Sequence, residues 1–331
     1  MATLAGSTYL PKVKQIGFWG RVRRYRFAYF MIAPTLIMML LIYALPILQG
    51  IHLSLLDANG AAKMRLFLSA PYHELENYGE FFGGRTSAGA QVLLNAAKNT
   101  FIYTNVVNVA NIGIGLTAAL LLNRRFKGQR LVRTLVLLPW IVPTYAVGMM
   151  WANMWLRETG IINNILVDGL HLFPADNRPF WLIGPNAFWA VVVPTVWRSM
   201  PFNTVMMLAG LQVIPADLYE AANVDGASTF QKFLFITVPL LKPVLAIMLL
   251  WGVIGTAFGY NIVAMMFGNG AGFPGESADL LMPALQRQSF QQYNFGLGAA
   301  MSVIMMGVMM IFVLAWMRTF RETLTQQGGA R

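Results

Sequence analysis

The sequence predicts an all-α membrane protein with about six transmembrane helices. Hydrophobic residues make up 57% of the 331 residues and charged residues only 11%, whereas about 25% of the residues in a soluble domain are charged. Six segments are apolar over about 20 residues, the length that a helix needs to cross a bilayer. These candidate spans are residues 28–50, 99–122, 131–155, 186–212, 240–263 and 295–317.

The basic residues predict the orientation of the chain. The formal net charge is +11, and Lys and Arg cluster between the candidate spans. Two dense clusters, residues 21–26 (RVRRYR) and 123–133 (NRRFKGQRLVR), fall on one side of the predicted topology. Because loops rich in Lys and Arg stay in the cytoplasm, both termini are expected there. The basic residues are therefore expected to set the topology of a protein in contact with lipid, and not to bind nucleic acid.

The chain is predicted to have three parts. Residues 1–27 form a basic segment at the membrane surface, where Phe18, Trp19 and Tyr25 alternate with basic residues. Residues 28–320 form the six-helix domain, and residues 321–331 form a cytoplasmic tail.

Several kinds of chemistry find no support in the sequence. There is no cysteine, and the three histidines, His52, His73 and His171, lack the spacing of metal ligands. No G-x-x-x-x-G-K-[ST] phosphate loop occurs, so ATP is not expected to bind this chain. No spacing of acids or of Ser, His and Asp indicates a catalytic site. We therefore predict a chain that is not an enzyme and has no metal or cofactor of its own.

The segment between the fourth and fifth candidate spans, residues 214–243, is long for a simple connection. It predicts two short helices joined by a turn. Pro215 suits the first turn of one helix, Gly226 suits the turn, and Ser228 suits the N-cap of a second helix. Apolar side chains in a segment that faces water predict docking to another protein. They are Leu218, Tyr219, Phe230, Phe233 and Phe235.

This segment resembles the EAA loop of permease subunits from binding-protein-dependent ABC importers. That motif is E-A-A, three residues, Gly, nine residues and I-x-L-P. Here the pattern is Glu220-Ala221-Ala222, Gly226 and Ile236 to Pro239, with valine in place of leucine. Residues 137–151 (LLPWIVPTYAVGMMW), 197–215 (WRSMPFNTVMMLAGLQVIP) and 295–304 (FGLGAAMSVI) extend the likeness. They are similar to the carbohydrate branch that contains the maltose-type permeases.

The resemblance implies the type I importer permease fold and a set of partners. These are a second homologous permease, two ATPase subunits that bind ATP and Mg, and a solute-binding protein that delivers a sugar. In this family the EAA loop, here residues 214–239, sits in a cleft of the ATPase. The implied coupling residues are Glu220, Ala221, Ala222, Asp225 and Gly226.

The resemblance also implies a sugar path through the spans. Maltose-type members contact their sugar from three helices. The matching residues here are Trp140 and Thr144, then Thr195, Arg198 and Ser199, and, with a looser alignment, Thr256, Tyr260 and Asn261. Helix packing is the competing interpretation for each of them.

Polar residues inside the spans leave two questions open. Arg198 is the one charged residue deep in a span, and such a cation is costly unless it is paired or hydrated. It either binds an anionic sugar derivative, sulfonated or phosphorylated, or bonds to helix carbonyls. Asn105, Asn108 and Asn111 recur at helical spacing and predict one polar face. That face either joins helices, which we favour, or borders a water-filled path.

Two functions of other classes are alternatives to an importer permease. An ion-coupled secondary transporter working alone normally has more spans, an internal repeat and acids within the membrane, which the sequence lacks. A membrane-bound enzyme such as a glycosyltransferase needs acidic or histidine groups near an interface. The acids of the predicted outer loops, such as Glu158 and Asp176, give that function weak support.

Overall fold

The computed structural model describes residues 23–63, 66–83, 87–268 and 273–325, and these residues fold mainly into helices. The first 22 residues, with Phe18 and Trp19 of the predicted surface segment, lie outside the described residues, as do the last six of the predicted tail. The chain divides into two compact units, one up to His52 and one from Leu53 onward.

Helix α1 runs from Arg26 to Leu53. All of it except Leu53 belongs to the first unit. A π-helical turn at Leu40–Ala44 interrupts its α-helical hydrogen bonding. Within this unit the side chains on all sides of α1 are exposed and mostly apolar. A helix that is apolar all round is typical of a membrane span.

The second unit contains the other helices. They are α2 (Glu76–Phe82), α3 (Ala88–Asn123), α4 (Gln129–Ile141), α5 (Thr144–Met154), α6 (Ile161–Asn163), α7 (Asn186–Val213), α8 (Ala216–Val224), α9 (Thr229–Ala257), α10 (Asn261–Met266), α11 (Leu281–Gln286) and α12 (Phe295–Thr325). The helices α6 and α11 continue as π-helices, Asn164–Gly169 and Arg287–Gln291.

Helices occupy the positions of all six candidate spans. Within the described residues, α1, α3, α9 and α12 are long and apolar enough to cross a membrane, and α4 with α5, bent by 93° at the break between them, is together apolar enough to count as a fifth span. The bend lies at Pro143, which lacks a backbone donor and forces Val142 before it into an extended conformation. Helix α7 has 28 residues, but its polar residues lower its hydropathy.

The predicted bounds of the fifth span, 240–263, are wrong. Helix α9 begins at Thr229, passes through a π-helical turn at Phe233–Thr237 and ends at Ala257, and α10 begins only at Asn261. The second short helix predicted after Ser228 is therefore the first turn of this long helix. The reason is that Ser228 and Gln231 form a capping box that starts the helix, and no later residue stops it before Phe258.

Small residues let the helices around the centre of the second unit approach closely. A Cβ atom on Gly115 of α3 would lie 2.9 Å from the Cβ of Asn203 on α7. A Cβ atom on Gly148 of α5 would lie 2.7 Å from the carbonyl oxygen of Ile262 on α10. Close backbone contact at small residues is a common way to pack membrane helices. These contacts hold α3 against α7 and α5 against α10, on two sides of a central cavity.

Candidate functional site

A cavity of about 470 Å³ lies among α3, α4, α5, α7, α9 and α10. Its lining combines aromatic rings, hydroxyl groups and side-chain amides. All eight residues that the sequence predicted for the sugar path line this single cavity. They are Trp140, Thr144, Thr195, Arg198, Ser199, Thr256, Tyr260 and Asn261.

Breaks in the helices place several of these residues. Trp140 lies near the end of α4 and Thr144 is the first residue of α5, so the bend at Pro143 directs both toward the cavity. Tyr260 is the N-cap of α10 and Asn261 is its first residue, which follows the break at the end of α9. The sequence placed these two residues inside one continuous span, and the break turns them toward the cavity.

Three hydroxyl groups in the lining are bonded to helix α3. The Tyr103 hydroxyl donates to Thr195 Oγ1 over 2.8 Å, and Asn111 Nδ2 donates to Ser199 Oγ over 2.8 Å. Asn108 Nδ2 donates to Thr256 Oγ1 over 3.0 Å. Helix α3 therefore connects to α7 and to α9 through the same polar groups that line the cavity.

The predicted asparagine face of α3 is only partly correct. Asn108 and Asn111 are buried, join neighbouring helices and also line the cavity, so both alternatives for that face describe them. Asn105 is exposed and donates to the carbonyl oxygen of Phe101 in its own helix. The reason is geometric: successive positions three apart drift around the helix, so the first and third asparagines do not share one face.

Aromatic rings form the apolar part of the lining. Trp140 stacks on Phe202 with ring centroids 5.8 Å apart and an interplanar angle of 27°. One face of Trp140 is thus covered by Phe202, and the indole remains half exposed. Trp251 of α9 also lines the cavity and is 67% exposed. An exposed indole face can stack against the apolar face of a sugar ring.

Arg198 is the one charged side chain that lines the cavity in the described part of the chain. Its Nε lies 3.4 Å from the carbonyl oxygen of Val142, at the bend between α4 and α5. The bend leaves that carbonyl without a partner in its own helix, so the arginine bonds to a helix carbonyl and faces the cavity at the same time. This contact involves only Nε of the guanidinium group.

Sequence reasoning missed several lining residues, among them Tyr103, Phe202, Asn203 and Trp251. A helical-spacing signal existed for two of them. Phe202 lies four residues after Arg198 and Asn203 lies four residues after Ser199, so each shares a helix face with a predicted residue. No sequence signal distinguished Trp251 or Tyr103 from ordinary membrane aromatics.

The segment between α7 and α9 has a defined shape. Helix α8 follows Pro215 and has Asp217 in its first turn. It ends in a Schellman turn, in which the Ala227 amide donates to the carbonyl oxygen of Ala222 and the Gly226 amide to that of Asn223. Gly226 has φ +76°, a conformation that other residues rarely adopt.

The predicted coupling residues lie together on this exposed segment. Glu220, Ala221, Asp225 and Gly226 are exposed, and Ala222 is half-buried. Apolar side chains are exposed beside them: Val224 is 89%, Phe230 69% and Phe235 72% accessible. Such a cluster is typical of a surface that binds a partner.

Two hydrogen bonds join α8 to the start of α9. The hydroxyl groups of Tyr219 and Thr237 are 2.9 Å apart, and Lys232 Nζ donates to Asn223 Oδ1 over 2.6 Å. Because Thr237 is buried while α8 is exposed, the first bond connects a surface helix to the body of α9. A force on α8 can therefore reach α9, which carries Thr256 of the cavity.

Comparison with known proteins identifies the family. Residues 111–325 match the family described as "Binding-protein-dependent transport system inner membrane component". The chain is 33% identical over 305 residues to the trehalose/maltose transport system permease protein MalF of Thermococcus litoralis, covering 91% of this chain and 96% of the relative. It is 30% identical over 298 residues to the sulfoquinovosyl glycerol transport system permease protein SmoG of Agrobacterium fabrum, covering 89% and 90%.

A solved structure shares the fold. It is the crystal structure of a bacterial ABC transporter involved in the import of the acidic polysaccharide alginate, with a TM-score of 0.75 and 22% identity, covering 92% of this chain and 98% of the other. Proteins of this family are multi-pass transport components of the inner membrane and are not enzymes. The chain belongs to this family of permeases from binding-protein-dependent ABC importers, in its carbohydrate branch, and has the type I permease fold.

Proposed function

We propose that this chain is a permease subunit of an ATP-driven importer and carries a sugar or sugar derivative through the cavity. One observation supports this most directly: the eight residues predicted for the path line one cavity of aromatic, hydroxyl and amide groups. Aromatic faces with polar groups around them suit a ligand that has apolar ring faces and many hydroxyl groups. The relatives named above are permeases for trehalose/maltose and for sulfoquinovosyl glycerol.

The energy source in this proposal is a partner ATPase. ATP and Mg bind two ATPase subunits, and α8 seats in a cleft of one of them. Exposed apolar groups around Glu220 support this docking, since Val224, Phe230 and Phe235 are left without cover in the single chain. Ala221 and Gly226 have small or no side chains, which allows a partner to approach the backbone closely.

The other partners complete the complex. A second homologous permease closes the path, and a solute-binding protein delivers the sugar from outside the cell. A related fold is known from an alginate ABC transporter in complex with an alginate pentasaccharide-bound periplasmic protein, which supports this partner. In this arrangement both termini and α8 face the cytoplasm.

Reconstitution tests the proposal. The complete importer, purified through a tag on this chain, is placed in proteoliposomes with its binding protein and supplied with ATP. We expect an ATPase to co-purify and radiolabelled trehalose or maltose to accumulate only when ATP is hydrolysed. Uptake driven by an ion gradient without an ATPase would instead support a stand-alone secondary transporter.

An anionic solute is the second candidate, and Arg198 favours it. No carboxylate lines the cavity with it in the described part of the chain. The sulfonated solute named for one relative and the acidic polysaccharide named for a solved neighbour point the same way. Uptake of neutral and anionic sugars by an Arg198→Ala variant decides between the two: a loss confined to anionic sugars supports this candidate, and an equal loss for both rejects it.

A further inference from the structure

The three hydroxyl groups bonded to α3 share one hydrogen-bond polarity. Each is an acceptor toward α3, as described above, and each also donates to a carbonyl oxygen of its own helix. Thr195 Oγ1 donates to Val191 over 2.9 Å, Ser199 Oγ to Thr195 over 2.5 Å, and Thr256 Oγ1 to Gly252 over 2.8 Å. A hydroxyl group has one proton to donate and two lone pairs that accept. The proton and one lone pair of each group are therefore occupied.

The polarity of the amides is fixed by the same contacts. Asn108 Nδ2 also lies 2.7 Å from the carbonyl oxygen of Thr104, which can only accept. The proton of Ser199 is already donated to a carbonyl, so Asn111 must present its amide nitrogen to Ser199 and not its oxygen. If either amide were reversed, its Oδ1 would face an oxygen that has no proton to donate to it: the carbonyl of Thr104 for Asn108, and Ser199 Oγ for Asn111. Asn111 Oδ1 is buried and has no hydrogen-bond partner among the described residues.

We infer that Tyr103, Asn108 and Asn111 set which groups of a solute the cavity can recognise. Each acts through one hydroxyl, on Thr195, Thr256 and Ser199 respectively, and leaves that hydroxyl with a single lone pair for the cavity. The solute must then donate hydrogen bonds to these positions. A sugar can bind at these three positions by donating its own hydroxyl protons, whereas a group that only accepts finds no partner at them. The inference rests on the proposed function and adds α3 to the determinants of specificity.

The predicted effect is one of selectivity. Loss of Asn111 leaves the proton of Ser199 on the Thr195 carbonyl but removes the donor that fixes the orientation of Ser199 Oγ, so its free lone pairs are no longer held toward the solute. A neutral hydrogen bond of this kind changes an equilibrium by roughly three- to tenfold. A residue that merely packs helices together would slow the transport of all sugars equally.

The test uses the complete importer in proteoliposomes, with trehalose and maltose and with analogues in which one hydroxyl is replaced by hydrogen or by fluorine. For each sugar the uptake by wild type is divided by the uptake by Asn111→Leu. The same binding protein delivers the sugar in both cases, so its own preference cancels. We expect a ratio of about three to ten for the parent sugar and a ratio near one for the analogue that lacks the donating hydroxyl.

Fluorine accepts hydrogen bonds weakly and cannot donate them, so the fluorinated analogue at that position should behave like the deoxygenated one. Ser199→Ala should give the same pattern as Asn111→Leu, and the double variant should show no further change. Asn105→Leu is the matched control, because Asn105 lies on the same helix but is exposed and bonded within α3. We expect this control to match wild type.

Three outcomes overturn the inference. Equal ratios for all sugars would make Asn111 a packing residue only. A fluorinated analogue that keeps the ratio of the parent sugar would mean that the hydroxyl donates. Additive effects of Asn111→Leu and Ser199→Ala would mean that the two residues act separately. Separately, absence of both ATP-driven uptake and a co-purifying ATPase in wild type would reject the proposed function itself.

Discussion

The cavity and the segment around α8 are built in opposite ways. Around the cavity, polar side chains inside apolar helices are bonded to one another across three helices. Around α8, apolar side chains are exposed and few contacts hold the segment beyond Tyr219 and Lys232. A buried polar group needs a partner within the chain, whereas an exposed apolar group is stable only against something else. Most polar groups around the cavity therefore have partners within the chain, with Asn111 Oδ1 an exception, whereas the apolar groups around α8 are left without cover.

This comparison predicts how substitutions separate transport from stability. Substitutions around the cavity should lower the stability of the chain and transport together. Substitutions around α8 should lower transport more than they lower the stability of the chain, because the segment is exposed.

The largest effect is expected for Gly226→Val. Gly226 has φ +76°, and a β-branched residue there opposes the Schellman turn that ends α8, at a cost of about 1–2 kcal/mol. We expect ATP-driven uptake to fall more than about tenfold, since the geometry of the docking surface depends on this turn.

Gly128→Val is the matched control, because Gly128 is exposed and has φ +83° outside α8. Similar loss in both variants would attribute the effect to backbone strain in general and not to coupling.

The second largest effect is expected for Gly252→Ala, at a position of α9 that lines the cavity. A Cβ atom at Gly252 would collide with Oδ1 of Asn108, so Asn108 must swing away and lose its bond to Thr256. Overpacking of this kind costs about 1–3 kcal/mol, and we expect a lower thermal unfolding temperature together with reduced uptake.

Gly255→Ala on the same helix is the control, since nothing lies within 4 Å of a Cβ atom there. Unchanged unfolding in the Gly252 variant would contradict the close packing of α3 on α9.

A smaller effect is expected for Phe235→Ser, which removes an exposed ring near α8. Phe235 is 72% accessible, so its loss should change the free energy of unfolding by less than about 0.5 kcal/mol. The amount of ATPase that co-purifies should fall, because truncating an interface anchor costs about 1 kcal/mol or more. Full recovery of the ATPase would exclude this ring from the interface.

The smallest effect is expected for Tyr219→Phe, which removes the bond to Thr237 and leaves the ring in place. A neutral hydrogen bond contributes about 0.5–1.5 kcal/mol. We expect the ATPase to remain bound, with uptake per ATP hydrolysed lowered a few-fold. Thr237→Val should reproduce the loss, and the two together should not add; additive losses would place the two residues in separate roles.

The class and the family could be predicted from the sequence alone, as could the position of the segment proposed to bind the ATPase. Local signals suffice for these, since apolar length predicts spans and the EAA spacing lies within 20 consecutive residues. Pro215, Gly226 and Ser228 also gave the turn and the start of α9, because caps and turns depend on the residues next to them.

The cavity lining follows from tertiary structure, because residues from six helices form it. The 93° bend at Pro143, the end of α9 at Ala257 and the bonds from α3 bring together residues that are far apart in the chain. Asn105 and Asn111 are the same residue type on one helix; helical spacing places them on different faces, and the neighbouring helices decide which face is buried. Packing partners decide whether a polar group in a span is satisfied by its own helix, by another helix or by the solute, and no local pattern records that choice.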